Sequence, residues 1–285
     1  MIRMRVGVVG LGQMGLAMAG RLVETGAEVL GFDLDAARCE AAAARGVTVA
    51  ASVEAVAAPV VILSLPHDRA VEAVLPALFP ALPKGAVLAD TSTLDPLAAR
   101  RFVEAAAEWG MDYLDTPVSG GPAGAAAGSL AMMLGGDAAA IARARPVLDR
   151  VAAKLIHVGG PGAGQVAKLV NNLLVATHLA VAGEALRLGR LAGVEPADLL
   201  AVVNAASGRS AATEVNFPRW ILSEGYDSGF SAGLMRKDVR LALELADSVG
   251  AVLPVCGQAA ARWQAAEASD AADFNRVPAA ILEGA

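Results

Sequence analysis

From Gly162 the chain reads Gly-Ala-Gly-Gln-Val-Ala-Lys-Leu-Val-Asn-Asn172 and continues through Leu173, Leu174, Val175, Leu179, Val181, Leu186, Leu188 and Leu191 without a proline. Apolar residues at helical spacing over so long a stretch predict a single helix that closes at Gly193. At 1.5 Å per residue it would be about 45 Å long, longer than a small domain is wide, so it is expected to belong to two domains. Near its start Lys168 and Asn172 are four residues apart and Asn171 is three from the lysine. These polar groups therefore share a face, and Val166, Leu169, Val170 and Leu173 take the rest. A lysine placed there is expected to be partly buried. Desolvation lowers the pKa of an amine and the positive end of a helix dipole acts in the same direction, so the group could exchange protons near neutral pH. A lysine snorkelling to the surface beside solvated amides fits the same pattern, and this stretch alone does not choose between the two.

Two domains need two cores, and 285 residues with 55% hydrophobic and 18% charged content can fill them; the same balance excludes a disordered chain. A net charge of -6 without any basic run removes the electrostatic footprint of a nucleic-acid binder or of an anionic membrane surface. A small-molecule partner is expected. Cys39 and Cys256 lie far apart, and His67, His157 and His178 form no ligand cluster with them, so neither a disulfide frame nor a metal site is expected. The arginines at the start precede a run that glycine breaks too early for a signal-peptide core, and no apolar run approaches membrane-spanning length. The reading is a soluble cytoplasmic protein.

Met4 to Val9 is a valine-rich run that enters Gly10-Leu11-Gly12-Gln13-Met14-Gly15 before a helical pattern of Leu16, Met18, Ala19, Leu22 and Val23. In a strand, glycine turn and helix of this kind, Gly10 permits the turn, Gly12 lets the backbone approach a pyrophosphate and Gly15 lets helix and strand pack closely. The free amides at the helix start then bind the phosphates. Glu28 to Phe32 makes a second strand, and Asp33 closes it 23 residues after Gly10, where a carboxylate can accept hydrogen bonds from an adenosine ribose. A dinucleotide site follows. Asp33 would repel a 2′-phosphate and no arginine follows it directly, which favours NAD; Arg38 is near enough to leave NADP possible, or else is a solvated helix residue.

Val60 to Leu65, Ala86 to Asp90 and Met111 to Asp115 read as further strands between helices, which means a parallel sheet. Ligands lie beyond the carboxyl ends of such strands, placing Leu65, Pro66 and Thr91-Ser92-Thr93 beside the cofactor. Asp95 belongs either to that site or to the cap of the helix opening at Pro96. Ser119-Gly120-Gly121 lies in a second glycine-rich turn whose amides and hydroxyl could hold a substrate carboxylate, or which is simply hairpin-like. After Gly193 the strands stop and helices are expected over 196–206, 211–223, 233–249 and 254–268. On the third of these Asp238 falls on a core face with Lys237 alongside, either in a structural ion pair or reaching the cleft of the first domain. Arg209 either selects an anionic group or is a solvated loop arginine. The fold class is thus α/β with a doubly wound sheet over 1–161, a linking helix over 162–193 and an all-helical domain over 194–285.

Four stretches in order, Gly10 to Ala19, Asp115 to Gly124, Gly162 to Asn172 and Lys237-Asp238, resemble the β-hydroxyacid dehydrogenase family, the group around 3-hydroxyisobutyrate dehydrogenase and tartronate semialdehyde reductase. The resemblance spans nearly the whole chain. It implies a Rossmann domain joined by a long helix to a helical domain that dimerises, with a homodimer or homotetramer as the assembly. It implies further that Lys168 is the catalytic acid/base, that Ser119, Gly120, Gly121 and Asn172 hold the substrate and that Thr93 and Lys237 contact the cofactor. Arg21 departs from the pattern, standing where asparagine is common. The extended helical tail of 6-phosphogluconate dehydrogenases is lacking, which argues against decarboxylation. The expected reaction is hydride transfer between NAD(P) and a short 3-hydroxy acid or its semialdehyde, with tartronate semialdehyde reduction as an alternative. A non-catalytic NAD-binding scaffold is the more distant one; Lys168 argues against imine reduction.

Overall fold

A computed structural model describes residues 4–284, and the chain divides into two units, Met1–Lys168 and Leu169–Ala285. In the first, strands β1 (Arg5–Val9), β2 (Glu28–Phe32), β3 (Thr48–Val49), β4 (Val60–Leu63), β5 (Val87–Asp90) and β6 (Asp112–Asp115) lie in the order β3-β2-β1-β4-β5-β6, all parallel. Helices α1 (Gln13–Glu24), α2 (Ala36–Ala43), α3 (Asp68–Leu78) and α4 (Pro96–Glu108) connect them. Because both faces of such a sheet are covered, its strands bury successive residues on opposite sides. Val8, Ile62, Ala89 and Leu114 enter one core with Met18 and Leu22 of α1, while Val9, Val61, Leu88 and Tyr113 enter the other with Val71 and Leu75 of α3.

The strand-helix alternation predicts a parallel sheet, but the sheet is not parallel throughout. After β6 come β7 (Val118–Ser119), α5 (Gly121–Ala127), β8 (Leu130–Gly135), α6 (Ala138–Leu148) and β9 (Ala152–Gly159). β8 runs antiparallel to β6 and β7, and β9 pairs parallel with β8. A seven-residue helix rises only about 10 Å. It cannot carry the chain back to the starting edge, so β8 sets off where β7 stops. The glycine-rich stretch is therefore a strand end and a helix start, with Gly121 the first residue of α5.

The long helix α7 (Ala163–Leu191) is unbroken, and the boundary between the units falls inside it. It corrects one expectation, for it is long and apolar enough by composition to cross a membrane. Counting only uninterrupted apolar runs hid this, because Lys168, Asn171 and Asn172 interrupt the pattern without breaking the helix. In the second unit it buries Leu169, Leu173, Ala176, Leu179 and Leu186 in a helical core.

Around that core lie α8 (Pro196–Ala205), a π-helix over Ala212–Ile221, α9 (Ala232–Ser248), α10 (Pro254–Ala265) and α11 (Arg276–Glu283). Pro218 sits inside the expected helix at 211–223, lacks a donor and would strike the carbonyl of an α-turn, which accounts for the wider winding. The tail, unreadable from its sequence, forms α11 because Val277, Pro278, Ile281 and Leu282 fall on one buried side. Trp263 is fully buried and donates its indole N–H to the Ala176 carbonyl at 2.9 Å.

Candidate active site

Val9 pairs with Phe32 and Leu63, Leu63 with Asp90 and Asp90 with Asp115, so five parallel strands end at one edge. Gly10 to Gly15, Asp33, Leu65, Pro66 and Thr93 lie in the segments that directly follow four of these strands. Gly12 opens α1 and no side chain caps that helix, which leaves the amides of the first turn, around Gln13, Met14 and Gly15, able to meet an anion. A methyl at Gly12 would meet nothing within 4 Å, whereas one at Gly15 would lie 1.8 Å from the Gly10 carbonyl oxygen. Asp33 accepts the Leu11 amide at 2.7 Å and the Asp35 amide at 2.9 Å, which fixes its carboxylate against the glycine turn. Arg38 is half-exposed, with Nη1 3.5 Å from Asp33 and Nε 3.5 Å from Asp35. An open glycine, uncapped amides and an anchored acid fit a dinucleotide with its phosphates at α1 and its ribose at Asp33.

Leu65 donates its amide to Ser92 Oγ at 2.9 Å, so the ends of β4 and β5 are tied together. Pro66 is exposed and Thr93 half-buried. Asp95 accepts from the Leu97 amide at 3.0 Å and so caps α4, which settles the choice left open for it. Arg21, the departure from the family pattern, donates to the Arg150 carbonyl at 3.2 Å, joining α1 to the turn before β9.

Behind this edge lie polar groups that local pattern did not reveal. Asp90 is wholly buried and takes hydrogen bonds from the Tyr113 hydroxyl and the Ser92 amide. Burial pushes its carboxyl up to about 6, while the bonds from Ser92 and Tyr113 pull the other way. The Tyr113 phenol is pushed up by burial and then by the neighbouring Asp90 charge. Asp115 is also buried and raised chiefly for that reason, although it accepts the amides of Gly162 at 2.9 Å and Gln165 at 3.0 Å. It acts as the cap of α7 from a distant strand. Gly164 lets the helix lie against that strand: a methyl there would stand 2.4 Å from the Met133 carbonyl and 2.7 Å from that of Asp115.

Gln165, wholly buried, donates Nε2 to the Ser92 carbonyl at 2.8 Å and accepts the Leu94 amide at 3.0 Å. One turn further along α7, Lys168 is buried at 7% exposure. A lysine that snorkels to the surface is excluded. Ser119 is half-buried on β7, opposite Ala131 of β8; Gly120 is exposed and Gly121 half-buried.

In the second unit Asn172 is buried and donates Nδ2 to Asp238 Oδ2 at 2.6 Å, while its Oδ1 accepts from Asn171 at 3.0 Å. Asp238 Oδ1 faces Lys237 Nζ at 3.4 Å without a hydrogen bond of its own. The structure thus brings Asn172, Lys237 and Asp238 together. Arg209 is exposed in the loop before the π-helix.

Residues 5–159 match the family model for the NAD binding domain of 6-phosphogluconate dehydrogenase, and 162–280 that for the NAD-binding of NADP-dependent 3-hydroxyisobutyrate dehydrogenase. The 2-(hydroxymethyl)glutarate dehydrogenase of Eubacterium barkeri is 37% identical over 90% of this chain and 86% of its own. The NAD-dependent L-serine dehydrogenase of Pseudomonas aeruginosa is 38% identical over 88% of each. A solved structure of 3-hydroxyisobutyrate dehydrogenase with L-serine, from Mycobacterium tuberculosis, superposes with a TM-score of 0.91 at 38% identity, covering 97% of this chain and 98% of that one.

Proposed function

Since this chain belongs to the β-hydroxyacid dehydrogenase family and is an NAD(P)-dependent 3-hydroxy acid dehydrogenase, we propose that Lys168 is its general acid/base and that 3-hydroxyisobutyrate or a close analogue is its substrate. The single observation that carries this reading is an amine buried on the helix turn next to one fastened to the ends of β5 and β6.

In the proposed reaction the amides of Gly120 and Gly121 and the hydroxyl of Ser119 hold the substrate carboxylate. Asn172, with its amide group oriented by Asp238, holds the hydroxyl. Lys168 accepts the hydroxyl proton during oxidation and returns it to the carbonyl oxygen during reduction. The bound nicotinamide supplies the hydride chemistry. Gly10 to Gly15, Asp33, Leu65, Pro66, Thr93 and Lys237 are assigned to the cofactor, with NAD preferred to NADP. In this division residues 1–161 bind the dinucleotide, 162–193 link, and 194–285 serve substrate binding and self-association. A cytoplasmic location and a homodimer or homotetramer are part of the proposal; the assembly is supported by Val170, Leu174, Val181, Leu188 and Leu191, which leave an apolar stripe of α7 exposed.

The test is Lys168→Ala. Turnover of 3-hydroxyisobutyrate falls by about 10²- to 10⁴-fold, the usual worth of general acid/base help, while NADH affinity holds. Equal loss of both identifies a structural lysine. A panel with L-serine, glycerate, 2-(hydroxymethyl)glutarate, tartronate semialdehyde and a sulfonated analogue ranks the specificity. NADH binding without turnover of any of them identifies a scaffold.

A further inference from the structure

The side-chain amide of Gln165 grips the backbone on both sides of Thr93, through the Ser92 carbonyl at 2.8 Å and the Leu94 amide at 3.0 Å. It pairs with that loop as a neighbouring strand would. Its own backbone N–H is bound to Asp115 at the end of β6, and Ser92 in turn accepts from Leu65 at the end of β4. One buried carboxamide thus holds the Thr93 loop, which Ser92 ties on to Leu65, while the backbone of the same residue is held by the end of β6, three residues before Lys168 on the same helix.

We infer that Gln165 is a positioning residue for proton and hydride transfer, setting the spacing between the Thr93 loop and the Lys168 amine. The inference rests on the reading of Lys168 given above. The reason is geometric: a side chain that fills a core needs shape alone, whereas this one makes directional bonds to two peptide groups that flank a residue assigned to the cofactor. Misplacement of reacting groups by about 1 Å costs about 10² in rate.

Two variants test it, with the unaltered chain and Lys168→Ala alongside. Gln165→Met keeps the length and removes both bonds. Its kcat is expected to fall by about 10²-fold, while one NADH still binds per chain with affinity within about threefold. A purely structural role would instead lower binding stoichiometry and turnover together.

Gln165→Glu supplies the sharper readout. Ionised, the new carboxylate repels the Ser92 carbonyl; protonated, it donates to that carbonyl and accepts from Leu94 as the amide does. The groups around it act on its proton in opposite senses. Asp115 on β6 and Asp90 on β5 favour protonation, with the Tyr113 phenol bonded to Asp90, and Lys168 opposes it. The ratio of its kcat to that of the unaltered chain should therefore climb about tenfold or more between pH 9 and pH 6. Lys168→Ala should show no such recovery. A flat ratio, or Gln165→Met within threefold of the unaltered kcat, overturns the inference. Should Gln165→Met not fold, the pH ratio decides. Normal turnover with a flat ratio removes the inference alone, whereas no turnover by the unaltered chain on the whole panel removes the Lys168 reading with it.

Discussion

Gly12 offers a way to separate binding from folding. A methyl added there meets no protein atom within 4 Å, and the backbone, at φ -63° and ψ -173°, is one that alanine adopts freely. Losing a favourable N-cap costs about 0.5–1 kcal/mol, and restricting the unfolded chain returns about 0.4–1 kcal/mol, so Gly12→Ala should leave stability unchanged within about 0.5 kcal/mol. The cofactor has no such latitude. A pyrophosphate drawn against the first-turn amides of α1 must share its space with the methyl, and overpacking of that kind costs about 1–3 kcal/mol. At 1.4 kcal/mol per decade, NADH should bind about 5- to 150-fold more weakly. Gly15→Ala is the contrasting case. Its methyl would lie 1.8 Å from the Gly10 carbonyl oxygen, contact that only displacement of α1 relieves. Both stability, by about 3 kcal/mol, and NADH affinity should suffer. Urea unfolding and an NADH fluorescence titration on the two variants suffice. If Gly12→Ala binds NADH within twofold of the unaltered chain, the pyrophosphate does not lie where the glycine turn places it.

Arg38 supplies the second prediction: half-exposed and 3.5 Å from Asp33, it adds about 1 kcal/mol of stability at most. Yet it is the cation best placed to meet a 2′-phosphate, so Arg38→Ala should raise the ratio of NAD to NADP in kcat/KM; an unchanged ratio removes it from cofactor choice. Asp90 gives a pH dependence with a definite sign. Its folded-state carboxyl is raised from 3.8 to about 6, so between these values the native state holds the proton that the unfolded chain has lost. Its contribution to stability therefore falls as pH rises from about 4 to 6, by about 3 kcal/mol at 1.36 kcal/mol per unit, and Asp90→Asn should abolish that slope. A difference in unfolding free energy between the two chains that stays level across the window would contradict the argument.

Elements bounded by clear local signals were the most legible. Glu28–Phe32 falls where the sequence puts it because Gly26 and Asp33 flank it. The π-helix depends on how one proline is accommodated, and the reversal at β8 depends on the length of α5, neither of which leaves an apolar pattern. In the candidate site the glycine turn and Lys168 stood out because their chemistry is local. Gln165 did not, since its partners lie 71 and 73 residues away in sequence.

The three acids closing parallel strands follow one physical rule that sequence states only in part. An acid at the end of an apolar strand requires partners, but which partners depends on what the sheet brings alongside. Asp33 takes an amide of the glycine turn, Asp90 takes Ser92 and Tyr113, and Asp115 takes the first turn of α7. Each thereby fixes a loop on which a proposed site residue depends. The last of them also changes the account of Lys168. The positive end of α7 was expected to help keep the amine uncharged, yet a carboxylate capping that helix end offsets the dipole. The helix end on which the proposed proton carrier rides is thus already answered by a carboxylate from a distant strand, so the dipole argument drawn from the sequence does not carry over to the folded chain.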